Sequence, residues 1–147
     1  MAEHMHMPTL IPALSVSDPR ASLAWLEKLG FQTVMSMPMA DGTIVHAHAA
    51  RGDAHVMLGP TCGKGMGAPG VTLYVNIEDS VDELCARARA GGISVTQDPR
   101  DEFWGDRLFE VEHPDGYRFT FANHVRDVSQ EEMKRAMDQW AAAGAQA

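Results

Sequence analysis

Three histidines lie close together in the first half of the sequence, and imidazole can bind a metal ion or carry a proton near neutral pH. His46 and His48 are two residues apart on an expected strand, so their side chains share one face. His55 follows the turn Gly52-Asp53 and would face them from the next strand. We favour hydrogen-bonded or proton-carrying imidazoles over a three-histidine metal site, because such clusters on a sheet face are usually hydrogen-bonded or solvated.

Two further side chains could contact a ligand in the second half. Arg118 suits a carboxylate, phosphate or enolate oxygen; alternatively it pairs with Glu110 or Glu112 on the adjacent strand. Trp104 lies in a long loop before the seventh expected strand and could stack on a planar ligand. Alternatively, Phe103 and Trp104 form a hydrophobic plug.

Other reactive residue types receive no catalytic role. Cys62 could act as a nucleophile if its pKa were lowered, but no histidine partner lies beside it in the sequence. His113 and His124 are expected in a turn and at a strand end. Asp106 and Arg107 are expected to form a local ion pair. No spacing supports a Ser-His-Asp arrangement.

The elements that position these residues occur twice, at an offset of about sixty residues. In each half a strand leads into a helix that begins at a capping residue, and three strands follow. A final helix starts with the capping box of Ser129 and Glu132, and its Met and Trp stripe would pack on its own domain or on a partner. The predicted strands are 10–16, 31–37, 43–49, 54–58, 71–77, 93–96, 108–112 and 117–122, and the predicted helices follow residues 18, 80 and 129.

This pattern predicts an α+β domain at 8–127, in which module 1 spans 8–59, a glycine-rich linker 59–70, and module 2 70–127. Residues 128–147 form the last helix and a tail. Apolar side chains at period two should pack beneath the helices, so the residues that alternate with them lie on the opposite faces of the strands. The expected core positions are Leu14, Val16, Val71, Leu73, Val75, Tyr117, Phe119 and Phe121.

The composition disfavours several classes of partner. The chain of 147 residues has 12 Lys and Arg against 20 Asp and Glu, a formal charge of −8. Nucleic-acid binding needs basic side chains that neutralise phosphates, so we expect no nucleic-acid partner. The apolar runs are far shorter than the about 20 residues that span a membrane, and residues 1–8 do not resemble a signal peptide. With only Cys62 and Cys85, we expect a cytoplasmic protein.

The tandem βαβββ modules, with Asp18-Pro19 opening the first helix and Pro114-Asp115-Gly116 before the last strand, resemble the vicinal oxygen chelate superfamily. That superfamily includes glyoxalase I, extradiol dioxygenases, fosfomycin-modifying enzymes and bleomycin-binding resistance proteins. The stretches 103–107, 113–118 and 123–129 resemble its PhnB-like branch. The resemblance implies curved mixed sheets that together form a cup for a ligand.

The resemblance also implies four metal ligands, on the first, fourth, fifth and eighth strands. Those positions fall near Ile11, Met57, Thr72 and Thr120. None of these side chains offers the imidazole, carboxylate or thiolate that a divalent ion needs. The sequence therefore predicts a cup with no metal and no other cofactor.

We predict a homodimeric, metal-free protein that binds a small, partly planar organic molecule, with the acidic residues on its outer surface. The alternative is a metal-dependent lyase or dioxygenase that uses Zn, Ni, Fe or Mn at shifted ligands such as His46, His48 and His55. A purely structural module is a third hypothesis, and no catalytic residue is assigned. The predicted ligand-binding residues are Ser15, His46, His48, His55, Met57, Thr72, Tyr74, Asn76, Trp104, Arg118 and Thr120.

Overall fold

The computed structural model describes residues 6–60, 62 and 65–144. Two βαβββ modules are followed by a C-terminal helix, which confirms the predicted α+β class. Connector residues 61, 63 and 64 and tail residues 145–147 lie outside the described residues. The elements are β1 (Ala13–Ser15), α1 (Pro19–Glu27), β2 (Gln32–Pro38), β3 (Ile44–Arg51), β4 (Ala54–Gly59), β5 (Thr72–Asn76), α2 (Val81–Ala90), β6 (Ser94–Asp101), β7 (Asp106–Glu112), β8 (Arg118–His124) and α3 (Gln130–Ala142).

Each module forms one four-stranded mixed sheet. The strand orders are β1-β4-β3-β2 and β5-β8-β7-β6. β1 pairs with β4 and β5 with β8 in parallel, and the other neighbours are antiparallel. In each module the first strand crosses over through a helix and further strands before it pairs, whereas tight turns join the antiparallel neighbours.

The predicted helix starts are confirmed by their side-chain caps. The Asp18 side chain accepts the Ala21 N–H at 3.1 Å, and Pro19 occupies the first helical turn. Ser80 caps α2 in the same way, and Ser129 accepts the Glu132 N–H at 3.1 Å. These side chains satisfy backbone donors that a helix leaves free in its first turn.

Two strand boundaries differ from the prediction. β1 is limited to three residues, although the Pro12 carbonyl still accepts the Met57 N–H at 2.9 Å. β6 continues to Asp101 instead of ending at 96, and Pro99 is accommodated because β6 is an edge strand with register shifts. Trp104 therefore lies in a tight turn between β6 and β7, and the predicted long loop is wrong.

That turn depends on a glycine. Gly105 has φ +100°, and a Cβ there would lie 2.1 Å from the Arg126 carbonyl oxygen. Its own carbonyl accepts the N–H groups of Val125 and Arg126 at 2.9 and 3.1 Å. The turn is thus fixed against the segment that leads into α3.

Aromatic side chains join the two modules into one core. The ring centroid of Phe31, which directly precedes β2, lies 6.4 Å from that of Phe119 and 6.5 Å from that of Phe121. Trp25 of α1 lies 5.4 Å from Phe119. Among the expected core positions, Val71 is an exception, since it is 53% exposed. The remaining expected residues are buried or pack against this core.

A buried Ser-His contact also links the modules. Ser22 Oγ lies 2.9 Å from His113 Nε2, and the Asp115 N–H donates to His113 Nδ1 at 3.0 Å. Because Nδ1 accepts a hydrogen bond, the ring proton resides on Nε2 and is donated to Ser22. His113 therefore does not act as the base for this serine. The contact is a structural link between α1 and the β7–β8 turn.

The last helix is poorly packed in the isolated chain. α3 buries none of its residues, and Met137 and Trp140 are 54% and 62% exposed. Met133 and Ala136 of this stripe are partly buried. Packing of its exposed residues against a partner stays a prediction. Within the part of the chain that the structure describes, no helix is long and apolar enough to cross a membrane.

Candidate functional site

Each sheet has one face against the core and one face directed away from it. Ala47 and Ala49 of β3 and Val56 and Leu58 of β4 are in the core, so the residues that alternate with them lie on the opposite side, the module 1 face. The equivalent surface of the second sheet is the module 2 face. The predicted residues Ser15, His46, His48, His55 and Met57 lie on the first face, and Thr72, Tyr74, Asn76, Arg118 and Thr120 on the second.

Two of the three histidines on the module 1 face form a buried pair. His48 Nε2 lies 2.8 Å from His55 Nδ1, and the ring centroids are 4.9 Å apart. Burial lowers the pKa of His48, and the neighbouring imidazoles of His55 and His46 add to this effect. Neutral rings suit this contact because one nitrogen must donate and the other accept. In residues 6–60, 62 and 65–144, no three His, Cys, Asp or Glu side chains are placed to hold a metal ion.

Methionines complete the module 1 face. The register places His48 between Met35 of β2 and Met57 of β4, and His46 opposite Met37. Side chains directly opposite on antiparallel strands are neighbours on one face. Met35 and Met37 were missed by the sequence analysis, although their alternation within β2 was the available signal. This face offers thioether and neutral imidazole surface.

A carboxylate organises the module 2 face. Asp106 accepts hydrogen bonds from Tyr74 Oη at 2.5 Å and from Trp104 Nε1 at 3.2 Å on Oδ2, and Oδ1 lies 3.1 Å from His124 Nδ1. Burial alone would raise the pKa of Asp106, but these hydrogen bonds outweigh it and lower the pKa. Hydrogen bonds to Asp127 and Asp106 raise the pKa of His124. Asp106 thus fixes two aromatic rings.

The predicted ion pair between Asp106 and Arg107 is wrong. Arg107 Nε donates to Asp82 at 2.8 Å, and its Nη1 donates to Asp101 at 3.1 Å. Adjacent residues on a strand point to opposite faces, so Arg107 projects away from the partners of Asp106. Sequence reasoning missed Asp106, whose signal was its alternation with Glu110 along β7.

Two aromatic rings contact Asp106, and a third packs against one of them. Phe103 and Trp104 are in edge-to-face contact with centroids 5.1 Å apart, and Trp104 Nε1 also lies 3.3 Å from Tyr74 Oη. Tyr74 and Phe103 are 44% and 38% exposed, so a planar molecule could contact them. We call Tyr74, Phe103 and Trp104 the aromatic corner. The rings of Tyr74 and Trp104 are held by hydrogen bonds to Asp106, and Phe103 packs edge-on against Trp104.

The module 2 face also carries acidic side chains, which differs from the expectation of acidity on the outer surface alone. Glu110 and Glu112 alternate with core residues of β7, on the same side as Asp106. Glu110 accepts the Thr96 hydroxyl at 2.9 Å, and Arg118 Nε lies 3.8 Å from Glu112. Arg118 is thus already beside a carboxylate.

A cavity of about 780 Å³ separates the β3–β4 turn from β5. Arg51 lies on its wall and donates from Nη2 to both Asp79 oxygens at 2.8 Å. The predicted residues Tyr74 and Asn76 line it. Its volume falls within the range of about 300–1,000 Å³ that is typical of small-molecule sites. The lining residues are Arg51, Gly52, Asp53, Ala54, Tyr74, Val75, Asn76, Ile77, Glu78 and Asp79.

Residues 8–121 match the model of the Glyoxalase/Bleomycin resistance protein/Dioxygenase superfamily. The chain belongs to this superfamily. An uncharacterized protein of Mycobacterium bovis is 30% identical over 142 residues, which covers 88% of this chain and 92% of that protein. TioX from Micromonospora sp. ML1 is 30% identical with a TM-score of 0.69, over 83% of this chain and all of that one. TnmS3, an antibiotic binding protein from Streptomyces sp. CB03234, is 26% identical with a TM-score of 0.60, over 82% of this chain and 99% of that chain.

The positions expected for a metal in this superfamily do not carry a suitable donor set. Met57 lies opposite Ala13, Thr72 opposite Arg118, and Thr120 opposite Tyr74. Thioether and hydroxyl groups at these positions do not replace the imidazoles and carboxylates that divalent ions prefer. The residues therefore do not fit a divalent ion at these superfamily positions.

The thiol considered as a nucleophile is also unsuited to that role. Cys62 is exposed, yet partial burial of its sulfur raises the pKa of the thiol. A raised pKa reduces the thiolate fraction at neutral pH. We therefore assign no catalytic role to Cys62.

Proposed function

We propose that this member of the superfamily binds a small, partly planar organic molecule and does so without a metal ion. The observation that carries the proposal is the donor set: the positions that the superfamily resemblance assigns to metal ligands fall near Ile11, Met57, Thr72 and Thr120, none of which offers imidazole, carboxylate or thiolate. The adjoining strands carry mixed polar and apolar side chains. Such a lining orients a ligand with a few hydrogen bonds and contacts its body through apolar surface.

Two features support a planar ligand. The aromatic corner offers partly exposed rings, of which Tyr74 and Trp104 are oriented by hydrogen bonds to Asp106, and Tyr74 belongs both to this corner and to the 780 Å³ cavity. Aromatic rings gain additional energy from offset or edge contacts with another ring. The antibiotic binding of TnmS3 adds support by analogy within the superfamily.

The test is equilibrium dialysis of the full chain against three probes of three fused rings: proflavine, a cation; 9-anthracenemethanol, which is neutral; and 9-anthracenecarboxylate, an anion. Saturable binding of at least one probe supports the proposal, and Trp104→Ala should then weaken it about two- to tenfold. Trp140→Phe on α3 is the matched control. No saturable binding of any probe would overturn the proposal.

Elemental analysis of untagged protein purified without chelator tests the metal-free state. Stoichiometric zinc, iron, nickel or manganese would contradict it. The close contact of His48 and His55 favours the second candidate function, a metal-dependent lyase or dioxygenase, because two imidazoles already converge there. That candidate requires His46 or another donor to join them.

We further propose that the protein is a cytoplasmic homodimer of the PhnB-like branch. Exposed apolar side chains on β2 and α3 support a partner of the same chain, since large apolar surface favours association. They include Met35, Met37, Met137 and Trp140. Light scattering at micromolar concentration should give twice the chain mass of 16.0 kDa; a monomer mass would overturn the dimer.

A further inference from the structure

We propose that the ligand is a planar organic cation that lies in the cavity between the β3–β4 turn and β5, with its ring system against Tyr74. This inference rests on the proposed binding function and names the ligand's chemical class. It follows from which charges line the cavity, which of them are already paired, and where the exposed aromatic surface lies.

The cavity wall is acidic. Its described lining contains the carboxylates of Asp53, Glu78 and Asp79 against the single guanidinium of Arg51. Arg51 is bound to Asp79, and Arg87 lies 3.5 Å from the same carboxylate. The guanidinium of Arg51 is thus committed to Asp79, and the lining stays net negative because Asp53 and Glu78 add two further carboxylates.

The two remaining carboxylates are free to meet a cation. Within the described part of the chain, neither Asp53 nor Glu78 forms an ion pair, and both residues are exposed. Their negative charges act on a ligand in the cavity from the β3–β4 turn on one side and from the end of β5 on the other. A cavity lined by one sign of charge concentrates ligands of the opposite sign.

The aromatic surface at the cavity favours the same ligand class. Tyr74 lines the cavity and donates its hydroxyl to Asp106, which places a carboxylate behind the ring. An aromatic face attracts cations through its quadrupole, and Tyr and Trp are among the best rings for this contact. His124 contacts the other oxygen of Asp106 at 3.1 Å and also contacts Asp127, and it does not line this cavity.

The basic residue that could favour an anion lies elsewhere. Arg118 is opposite Thr72, whereas Tyr74 is opposite Thr120, one side-chain row further along the same face. Arg118 is also beside Glu112 and does not line this cavity. The geometry therefore offers no free guanidinium, among the described residues of the cavity wall, for a carboxylate or phosphate ligand.

The three probes defined above rank the ligand classes by charge at equal ring size. Proflavine should bind at least about tenfold more tightly than 9-anthracenecarboxylate in 50 mM salt, and the difference should shrink in 500 mM salt. Asp53→Asn together with Glu78→Gln should weaken proflavine binding about fivefold. Glu131→Gln on α3, which removes one negative charge outside the cavity, should change it less than about twofold.

Two substitutions of Tyr74 separate the contribution of its ring to proflavine binding from that of its hydroxyl. Tyr74→Phe should retain most of the proflavine affinity, whereas Tyr74→Leu should lose about fivefold. Equal binding of all three probes, tighter binding of the anion, or insensitivity to Asp53→Asn with Glu78→Gln would overturn the cation preference and leave the binding function intact. Absence of binding by every probe would overturn both.

Discussion

Met57 in module 1 and Thr120 in module 2 each lie in a row of side chains that crosses its sheet from strand to strand. The two sheets have the same strand order, and both rows lie on the face that points away from the core. The first row is apolar or imidazole, and the second contains a phenol and a carboxylate. The registers give Ala13, Met57, His48 and Met35 in module 1, and Tyr74, Thr120, Glu110 and Gln97 in module 2.

The core faces of the two sheets are far more alike than these rows. Val56 and Leu58 of β4 and Phe119 and Phe121 of β8 are all buried and apolar, in one continuous core. Packing thus constrains one face of each sheet, because a core residue must fill its space without polar groups. The opposite face carries polar side chains even where it is buried, as at His48, His55 and Thr120, so the two modules differ where a ligand would bind.

The largest expected effect on the free energy of unfolding comes from a substitution on the core face. Phe121 is fully buried and stacks on Phe109 with centroids 5.6 Å apart. Phe121→Ala should lower the free energy of unfolding by about 3–5 kcal/mol, because it leaves a cavity beneath both modules. Tyr74→Ala on the module 2 face should cost less than about 1.5 kcal/mol. Urea denaturation measures both, and equal costs would contradict the stronger packing constraint on the core face.

Asp106→Asn should weaken ligand binding at the module 2 face. Asparagine offers one acceptor oxygen where the carboxylate serves Tyr74, Trp104 and His124, so the rings lose part of their fixed orientation. Affinity for proflavine should fall by about 1–2 kcal/mol, measured by equilibrium dialysis.

The matched double substitution on the other face is His46→Ala with His48→Ala. A binder should keep saturable binding and lose less affinity than with Asp106→Asn. Complete loss of binding or of a measured turnover would instead favour the metal-dependent enzyme.

A smaller effect concerns pH. Burial lowers the pKa of His113 in the fold, with Asp115 opposing this in part. The unfolded chain therefore binds the proton more readily, and stability should be fully present above the ordinary histidine pKa of about 6.5. It should fall as the pH drops below that value, by at most about 1.4 kcal/mol per pH unit for this proton. Thermal melts from pH 7.5 to 5 measure the slope.

Two variants separate the contributions of His113 and His124 to the pH dependence of stability. His113→Gln should reduce the slope, even though it also weakens the link to Ser22. The raised pKa of His124 acts in the opposite direction: its contribution is present below the ordinary pKa and is lost as the pH rises through the raised pKa. A steeper acid loss in His124→Gln agrees with these signs, and an unchanged slope in His113→Gln would contradict them.

The smallest expected effect is at Arg118. Its guanidinium is more than half exposed and lies 3.8 Å from Glu112, a geometry in which ion pairs contribute little. Arg118→Gln should change the free energy of unfolding by less than about 0.5 kcal/mol. A loss above about 1.5 kcal/mol in urea denaturation would show that this side chain has a packing role.

Features set by local chemistry could be predicted from the sequence. The caps at Asp18, Ser80 and Ser129 each satisfy a donor only three residues away, so a short stretch of sequence contains the whole interaction. Alternation along β3 and the short turn before β4 brought His48 and His55 together in the same way.

Features that depend on partners far away in the sequence could not be predicted from it. β6 extends past Pro99 because β7 supplies its ladder, and Arg107 pairs with Asp82, which is 25 residues away. The partners of Asp106 come from three different elements, so nothing within its own strand indicated that it would hold Tyr74. Sequence patterns therefore predicted which residues share a face of a sheet. Which charged groups and aromatic rings contact one another there could be seen only in the folded structure.

The turn at Gly105 has a consequence for how this protein can diversify. Its backbone is held by the N–H groups of Val125 and Arg126, while the side chains of Phe103 and Trp104 project from the same turn with part of their surface exposed. The side chains at 103 and 104 can therefore be substituted in evolution while the backbone of the turn and the sheet beneath it stay unchanged. New ligand preferences become accessible through single substitutions, provided that the glycine is kept.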